Sequence, residues 1–261
     1  MKFNRFSLAA ALILCSAIAI SSCGKKHRYD RDDEEEGDGK GGVAAVIDTV
    51  NGATVTGKIL FTGTPPVPVP VKQESDPVCA AKASEEKPEV TQEVVVNDGK
   101  LANVFVYVSK GIDGIYAPPA QAAMLNQQGC RYHPHVLGVV AGQKIQFMNS
   151  DATLHNIHPV PKNNASFNLA QASAGKVDEK MFDKPEVMIP ISCDVHGWMR
   201  SYVGVLNHPF FSVSGSDGSF SIKGLPPGTY TITAWHEKFG EQTQEVTVKA
   251  KETKDISIAY K

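Results

Sequence analysis

Regular helical periodicity is what this sequence most lacks. No long stretch of its 261 residues repeats apolar side chains strongly every 3.6 positions, which argues against a helical architecture. An excess of one charge is also missing. The 26 Lys and Arg stand against 28 Asp and Glu, a net charge of -2, so composition provides no basic face of the kind nucleic acid requires. There is no P-loop, no G-x-S-x-G and no closely spaced acid pair of the glycosidase kind. Nothing in these motifs points to catalysis, and the expectation is a protein that is not an enzyme. The apolar run near the start, "SLAAALILCSAIAI", is too short to read as a membrane span. The length allows one or two domains with real cores.

The beginning of the chain does not belong to the fold. Lys2 and Arg5 form a positive start, the apolar run follows, and "ISSC" ends at Cys23. This pattern resembles a bacterial lipobox. The resemblance implies cleavage after residue 22 and lipidation of Cys23, which would anchor the protein to a membrane. A plain secretory signal cut near the same place is the alternative. By the same resemblance, Gly24 rather than Asp after the lipid site implies the outer membrane, where the host has one. Residues 23–49, with "GKKHRYDRDDEEEGDGKGG", are charged and Gly-rich and read as a disordered tether. Its acidic run from Asp32 to Glu36 reads as a solvated spacer, with a cation or a basic partner as the alternative.

Cysteine is sparse, and this becomes informative. Of five, Cys15 leaves with the signal and Cys23 carries lipid, so Cys79, Cys130 and Cys193 remain. An exported protein can form disulfides, and an odd cysteine needs a reason to stay free. Cys193 alone sits among other ligand-type residues. Cys79 with Cys130 is then the default disulfide.

What the chain has in abundance is β pattern, with 22 Gly and 16 Pro as punctuation. "ATVTGKILFTG" alternates and then breaks at "TPPVPVP". "EVVVNDGKLANVFVYVSKG" reads as strand, Asn-Asp-Gly turn, strand. "HVLGVVAGQKIQFMNSD" holds two more strands. "EVMIPISCDVHG" alternates with Val187, Ile189, Ile191 and Cys193 on one face. Short strands between frequent turns indicate an all-β sandwich architecture.

Within "PISCDVHGWMRSYVGV", Cys193, His196 and Met199 fall in seven positions between two apolar strands. A turn of this spacing can bring a thiolate, an imidazole and a thioether to a common point. With a second imidazole this is the donor set of a blue copper site. "NSDATLHNIH" offers His155 and His158 as candidates. Met199 taken alone would read as core filler; beside Cys193 and His196 it reads as a ligand. His158 reads as a surface residue or one that supports a ligand from behind. His133 and His135 in "CRYHPH" flank Pro134 at the start of a strand, with an additional divalent-metal site as the alternative. His27, His208 and His236 look isolated.

"HPHVLGVVAGQKIQFMNSDATLHN" together with "CDVHGWM" resembles the cupredoxins, the plastocyanin and amicyanin group. In that family the first histidine ligand is followed by Asn or Ser, and the other three ligands lie on one late loop. The resemblance therefore implies a Greek-key β-sandwich holding copper through His155, Cys193, His196 and Met199. It implies that the Asn156 backbone N–H donates to the Cys193 sulfur, and that His196 lies nearest the surface and passes the electron. Trp198 beside it would form an apolar docking surface or simply pack. Gly197 and Trp198 differ from the Pro and aromatic often found there.

"SDGSFSIKGLPPGTYTITAWHEKFG" resembles a second family, the carboxypeptidase regulatory-like, transthyretin-like β-sandwich, usually a structural or binding domain. Its usual first strand resembles "TVTGKILFTGTPP". Residues 50–75 then either pair with the C-terminal module, with the copper domain inserted between, or stand apart. The expected organisation is a signal over 1–22, the tether over 23–49, a β segment over 50–99, a cupredoxin-like copper domain over 100–207 and the second small β-sandwich over 208–261. Two functions fit these resemblances. One is a membrane-tethered type 1 copper protein passing single electrons between exported redox partners. The other is a non-redox copper-binding or surface interaction module. A copper oxidase is disfavoured, because the sequence shows no trinuclear histidine set.

Overall fold

The computed structural model describes residues 45, 47–48, 50–85 and 90–261. The signal segment, Cys23 and nearly all of the tether lie outside the described residues. Among those residues there are eighteen strands and one α-helix. In chain order they are β1 (Ala53–Phe61), α1 (Pro77–Glu85), β2 (Val96–Asn97), β3 (Lys100–Leu101), β4 (Phe105–Lys110), β5 (Ala123–Gln127), β6 (Tyr132–His133), β7 (Val136–Val140) and β8 (Ile145–Asn149). Then come β9 (His155–Pro159), β10 (Leu169–Gln171), β11 (Val177–Lys180), β12 (Glu186–Ser192), β13 (Arg200–Leu206), β14 (Phe211–Val213), β15 (Ser219–Leu225), β16 (Gly228–His236), β17 (Gly240–Val248) and β18 (Thr253–Tyr260). The all-β expectation holds. No helix among the described residues is long and apolar enough to cross a membrane.

The strands form two sandwiches. In the outer one, a sheet ordered β15-β1-β3-β2, with β18 also on β1, faces a sheet ordered β14-β4-β16-β17. In the inserted one, β10-β9-β12-β13-β7 faces β11-β8-β5-β6. Period-two alternation supplies each core. β1 buries Val55, Ile59 and Phe61 and meets Ile222 of β15, Ile232 of β16 and Ile258 of β18. The inserted core gathers Leu125, Ile145, Phe147, Ile157, Ile191 and Val203 from both of its sheets. β1 pairs antiparallel with β15 and parallel with β18, so the N-terminal β segment completes the C-terminal sheet.

The chain divides differently from the expected boundary at residue 100. The Asn-Asp-Gly turn forms with Asp98 and Gly99 both in the left-handed region (φ 48° and 71°), as a type I′ hairpin requires. The strand after it stops at Leu101, and Asn103 (φ 60°) redirects the chain into the second outer sheet as β4. There β4 pairs with β14 and β16 and not with the inserted sandwich. The reason is burial on both faces. Val104, Val106 and Val108 enter the outer core, while Phe105 and Tyr107 point the other way, into a cluster with Val136, Met188 and Leu206 of the inserted sandwich. A second departure lies in β12. Val187 is exposed, because the register shifts between Glu186 and Ile189 and Met188 takes φ 65°. The expected alternation holds only from Ile189 to Cys193.

Two paired glycines make the junction between the sandwiches possible. Gly138 of β7 and Gly204 of β13 lie opposite each other, and the rings of Phe105 and Phe211 rest on them. A Cβ at Gly204 would lie 2.6 Å from Phe105 Cζ, and one at Gly138 2.4 Å from Phe211 Cε2. Both sandwiches accordingly fall in one compact unit, Gly41–Lys261. We predict that Gly204→Ala lowers unfolding free energy by about 1–3 kcal/mol through overpacking, measured by denaturant unfolding. An unchanged midpoint would refute the close contact.

The outer sandwich also carries a buried titrating group. His236 accepts the Lys238 backbone N–H at Nδ1 (3.1 Å) and stacks on Phe239. Burial holds its pKa down to about 4, outweighing the nearby Glu237 and Glu93 carboxylates, while His135 and Lys238 add to the depression. Between pH 6.5 and 4 the unfolded chain binds a proton here that the folded protein refuses, so stability rises with pH across that window. His236→Gln is expected to remove on the order of 3 kcal/mol of this acid sensitivity. The check is unfolding free energy at pH 7 and pH 4 for both proteins.

Candidate metal centre

Three donor groups meet at one end of the inserted sandwich. β8 ends at Asn149, whose buried amide builds the next turn by accepting from the Asp151 N–H (2.9 Å) and donating to the Thr153 carbonyl (2.9 Å). That turn delivers His155 as the first residue of β9. Cys193 continues the inward face of β12, and the chain then closes a tight loop. The Met199 N–H donates to the His196 carbonyl (2.9 Å), and the Cys193 N–H to the Met199 carbonyl (3.3 Å). The sequence folds this way because two apolar strands in antiparallel register, β12 and β13, flank a short link.

His155 Nδ1 lies 2.9 Å from His196 Nδ1, and Cys193 Sγ lies 3.8 Å from His196 Nδ1. One ligand atom from each of His155, Cys193 and His196 falls within 4.8 Å of the others. All three residues are buried, as is Met199, which belongs to the same apolar core cluster. The His196 N–H points at the Cys193 sulfur (3.4 Å), and the Asn156 N–H also donates to it. Burial works against ionising this thiol, but hydrogen bonds from His155, Asn156, His196 and Val195 bring its pKa below the ordinary value.

The two imidazoles are held in complementary states. Burial opposes charge on His155, yet hydrogen bonds to Asp151 and Cys193 raise its pKa to about 9. Burial and the charge of His155 push the His196 pKa down. At neutral pH the His196–Asp76 contact (3.3 Å) is therefore a hydrogen bond from a neutral imidazole Nε2–H rather than a salt bridge. His155 donates its own Nε2–H to Asp151 (3.0 Å). A proton then lies between the two Nδ1 atoms, with the Cys193 sulfur beside it. Such a dry cluster of two imidazole nitrogens and one soft sulfur can exchange that proton for a soft or borderline cation.

Other expected residues sit around this cluster. Cys79 and Cys130 are joined in a disulfide, which commits both sulfurs, so the groupings of Cys79 with Asp76 and His196, and of Cys130 with Asp151 and His155, are not metal sites. Asn156 ties the two ligand-bearing segments together, accepting the Asp194 N–H (2.7 Å) and donating to the Asp194 carboxylate (3.0 Å). Trp198 is half-buried, donates to the Cys130 carbonyl (3.0 Å) and tilts against His196 at 5.0 Å. His158 pairs with Asp194 outside the cluster. His133 and His135 do not converge: His133 is exposed, whereas His135 is buried against Glu237.

One expectation needs correction. His196, expected nearest the surface, is 1% accessible and no more open than Cys193 or Met199. The segment between β1 and β2 crosses from the outer sandwich and lays α1 over it, with Cys79 Sγ 3.9 Å from His196 Nε2. A cleft of about 300 Å³ reaches Met199 and Trp198, between Arg131, His135 and Arg200. Sequence reasoning missed Asp76 and Asp151. Asp151 stands four residues before His155 and was open to recognition as its partner. Asp76 carries no such local signal.

Residues 205–261 match the carboxypeptidase regulatory-like domain family. No curated protein sequence matches the chain. Among solved structures, it is similar to a copper-containing nitrite reductase from Thermus scotoductus SA-01, at 18% identity over 40% of this chain and 25% of that one, with TM-score 0.32. It is also similar to a purple cupredoxin from Nitrosopumilus maritimus, at 22% identity over 32% of this chain and 98% of that one, with TM-score 0.28. An oxidised amicyanin variant is similar at 19% identity over 38% of this chain and 97% of that one, with TM-score 0.30. The chain spans only a quarter of the reductase's length. The C-terminal part of the chain thus matches the carboxypeptidase regulatory-like domain, and the solved structures similar to parts of the chain include cupredoxins.

Proposed function

We propose that the inserted sandwich holds one type 1 copper ion and that the chain carries single electrons between exported redox proteins. The observation that carries this reading is the convergence of His155 Nδ1, His196 Nδ1 and Cys193 Sγ in a buried cluster with Met199 beside it. Two imidazoles, a thiolate and a thioether suit copper in an electron-transfer site. Bound copper would supply a one-electron couple. The protein's own part is to fix the donors on two sheet-anchored loops, to exclude water and to aim two backbone N–H groups at the sulfur. Lipid on Cys23 would tether the protein to a membrane, facing the periplasm or the cell exterior. Because α1 covers His196, redox partners would dock on the flank of Trp198 and Met199. We read the chain as a carrier rather than an enzyme.

The covering of His196 favours a second reading, a non-redox copper-binding module on the same scaffold, because a buried ligand slows exchange with partners. Titration with Cu(II) separates the readings. One equivalent is expected to produce intense visible absorption from thiolate-to-copper charge transfer. Cys193→Ser should abolish it, while Met199→Ala should retain it and alter the reduction potential. Copper binding without that absorption, or absorption surviving Cys193→Ser, would sink the type 1 assignment. Absorption without reversible one-electron cycling would favour the non-redox module.

A further inference from the structure

Each imidazole of the cluster has its outward nitrogen on a carboxylate, and each carboxylate is held by one half of the same disulfide. Asp76 caps α1: its Oδ1 accepts the N–H groups of Val78 (2.8 Å) and Cys79 (3.1 Å). Its Oδ2 accepts the Thr153 hydroxyl (2.7 Å) and faces His196 Nε2 at 3.3 Å. Asp151 accepts the N–H groups of Gly129 (2.9 Å) and Cys130 (2.8 Å), and its Oδ2 faces His155 Nε2 at 3.0 Å. Gly129 and Cys130 both take left-handed conformations (φ 64° and 56°) to aim these donors. For Cys130, which has a Cβ, that conformation is unfavourable by about 1–2 kcal/mol, so something outside the turn holds it there. Its sulfur is bonded to Cys79, 51 residues away in sequence.

We propose that the Cys79–Cys130 disulfide is a clasp that positions Asp76 and Asp151 on His196 and His155 and thereby sets the redox preference of the bound metal. The proposal rests on the copper reading for its redox consequence and on geometry alone for the clasp. Carboxylate partners make the imidazoles more basic, fix which ring nitrogen carries the proton, and add negative charge near the metal. The greater basicity and the added charge favour Cu(II) over Cu(I). Asp76 comes from a strap outside the inserted sandwich, so the strap is part of the site as well as its cover. Asp76 and Asp151 are positioning residues, because they act on the metal through the histidines.

The test has a metal-free arm and a copper arm. In metal-free, disulfide-intact protein, imidazole nitrogen NMR should show both Nε2–H protons hydrogen-bonded and slow to exchange. Asp76→Asn should weaken the His196 signal alone, and Asp151→Asn the His155 signal alone. In the copper protein each substitution should lower the Cu(II):Cu(I) affinity ratio about tenfold, which raises the potential by about 59 mV. Cys79→Ala/Cys130→Ala should raise it similarly, and Asp76→Asn added to that background should raise it by less than half its effect alone. Unchanged potentials in both Asp variants, or full additivity of Asp76→Asn with the cysteine pair, would overturn the clasp. Should the cysteine variant fail to fold, chemical reduction of the wild-type disulfide in metal-free protein replaces it: both Nε2–H signals should then weaken, and unchanged signals would overturn the clasp. Failure of wild-type protein to develop the charge-transfer absorption refutes copper instead, and the metal-free arm still judges the clasp.

Discussion

Two imidazoles and a thiol can share one dry pocket only if every one of their polar atoms has a partner. An unpartnered buried polar group costs about 1–3 kcal/mol, and an unpaired charge costs more. The surroundings of the cluster follow from this constraint. Asp151 and Asp76 take the outer nitrogens of His155 and His196. The amides of His196 and Asn156 take the sulfur. Those carboxylates are then themselves buried or half-buried, and backbone N–H groups on both sides of a disulfide satisfy them in turn. The network closes on itself, which lets it order the site rather than destabilise it.

This explains why a long connection leaves the outer sandwich to cover its neighbour. Between β1 and β2 the chain has little core of its own beyond Cys79, yet it delivers Asp76 to the outer imidazole nitrogen of His196. The two sandwiches must hold still relative to each other for that delivery to work. Phe105 and Phe211 seated on Gly138 and Gly204 provide the contact, and β4, buried on both faces, belongs equally to the outer core and to this junction. The carboxypeptidase regulatory-like part therefore packs directly against the sandwich that holds the cluster.

Much of the site was legible in "CDVHGWM" and "LHN". Ligand-type residues at short spacing on a turn are local information, and local spacing survives folding. The pairing of Cys79 with Cys130 was legible by counting. The burial of His196 was not, because the segment that covers it lies more than a hundred residues earlier and shows no pattern that addresses it. The start of the inserted sandwich was misplaced for a related reason. "VFVYV" declares a strand, but which of two cores it serves depends on the turn at Asn103, where a non-glycine residue adopts φ 60°. Val187 shows the same limit, since one irregularity at Met188 moves it to the opposite face.

Strand periodicity, the turn residues, and the chemical identity and spacing of the donors on the late loop were properties of the sequence by itself. They follow from interactions between residues near one another in the chain. Tertiary structure alone decided that two carboxylates stand behind the two imidazoles, that one comes from a distant strap, and that a disulfide sets both in place. Those contacts join segments with no sequence proximity, and the requirement that creates them, partners for buried polar atoms, exists only once the chain has folded.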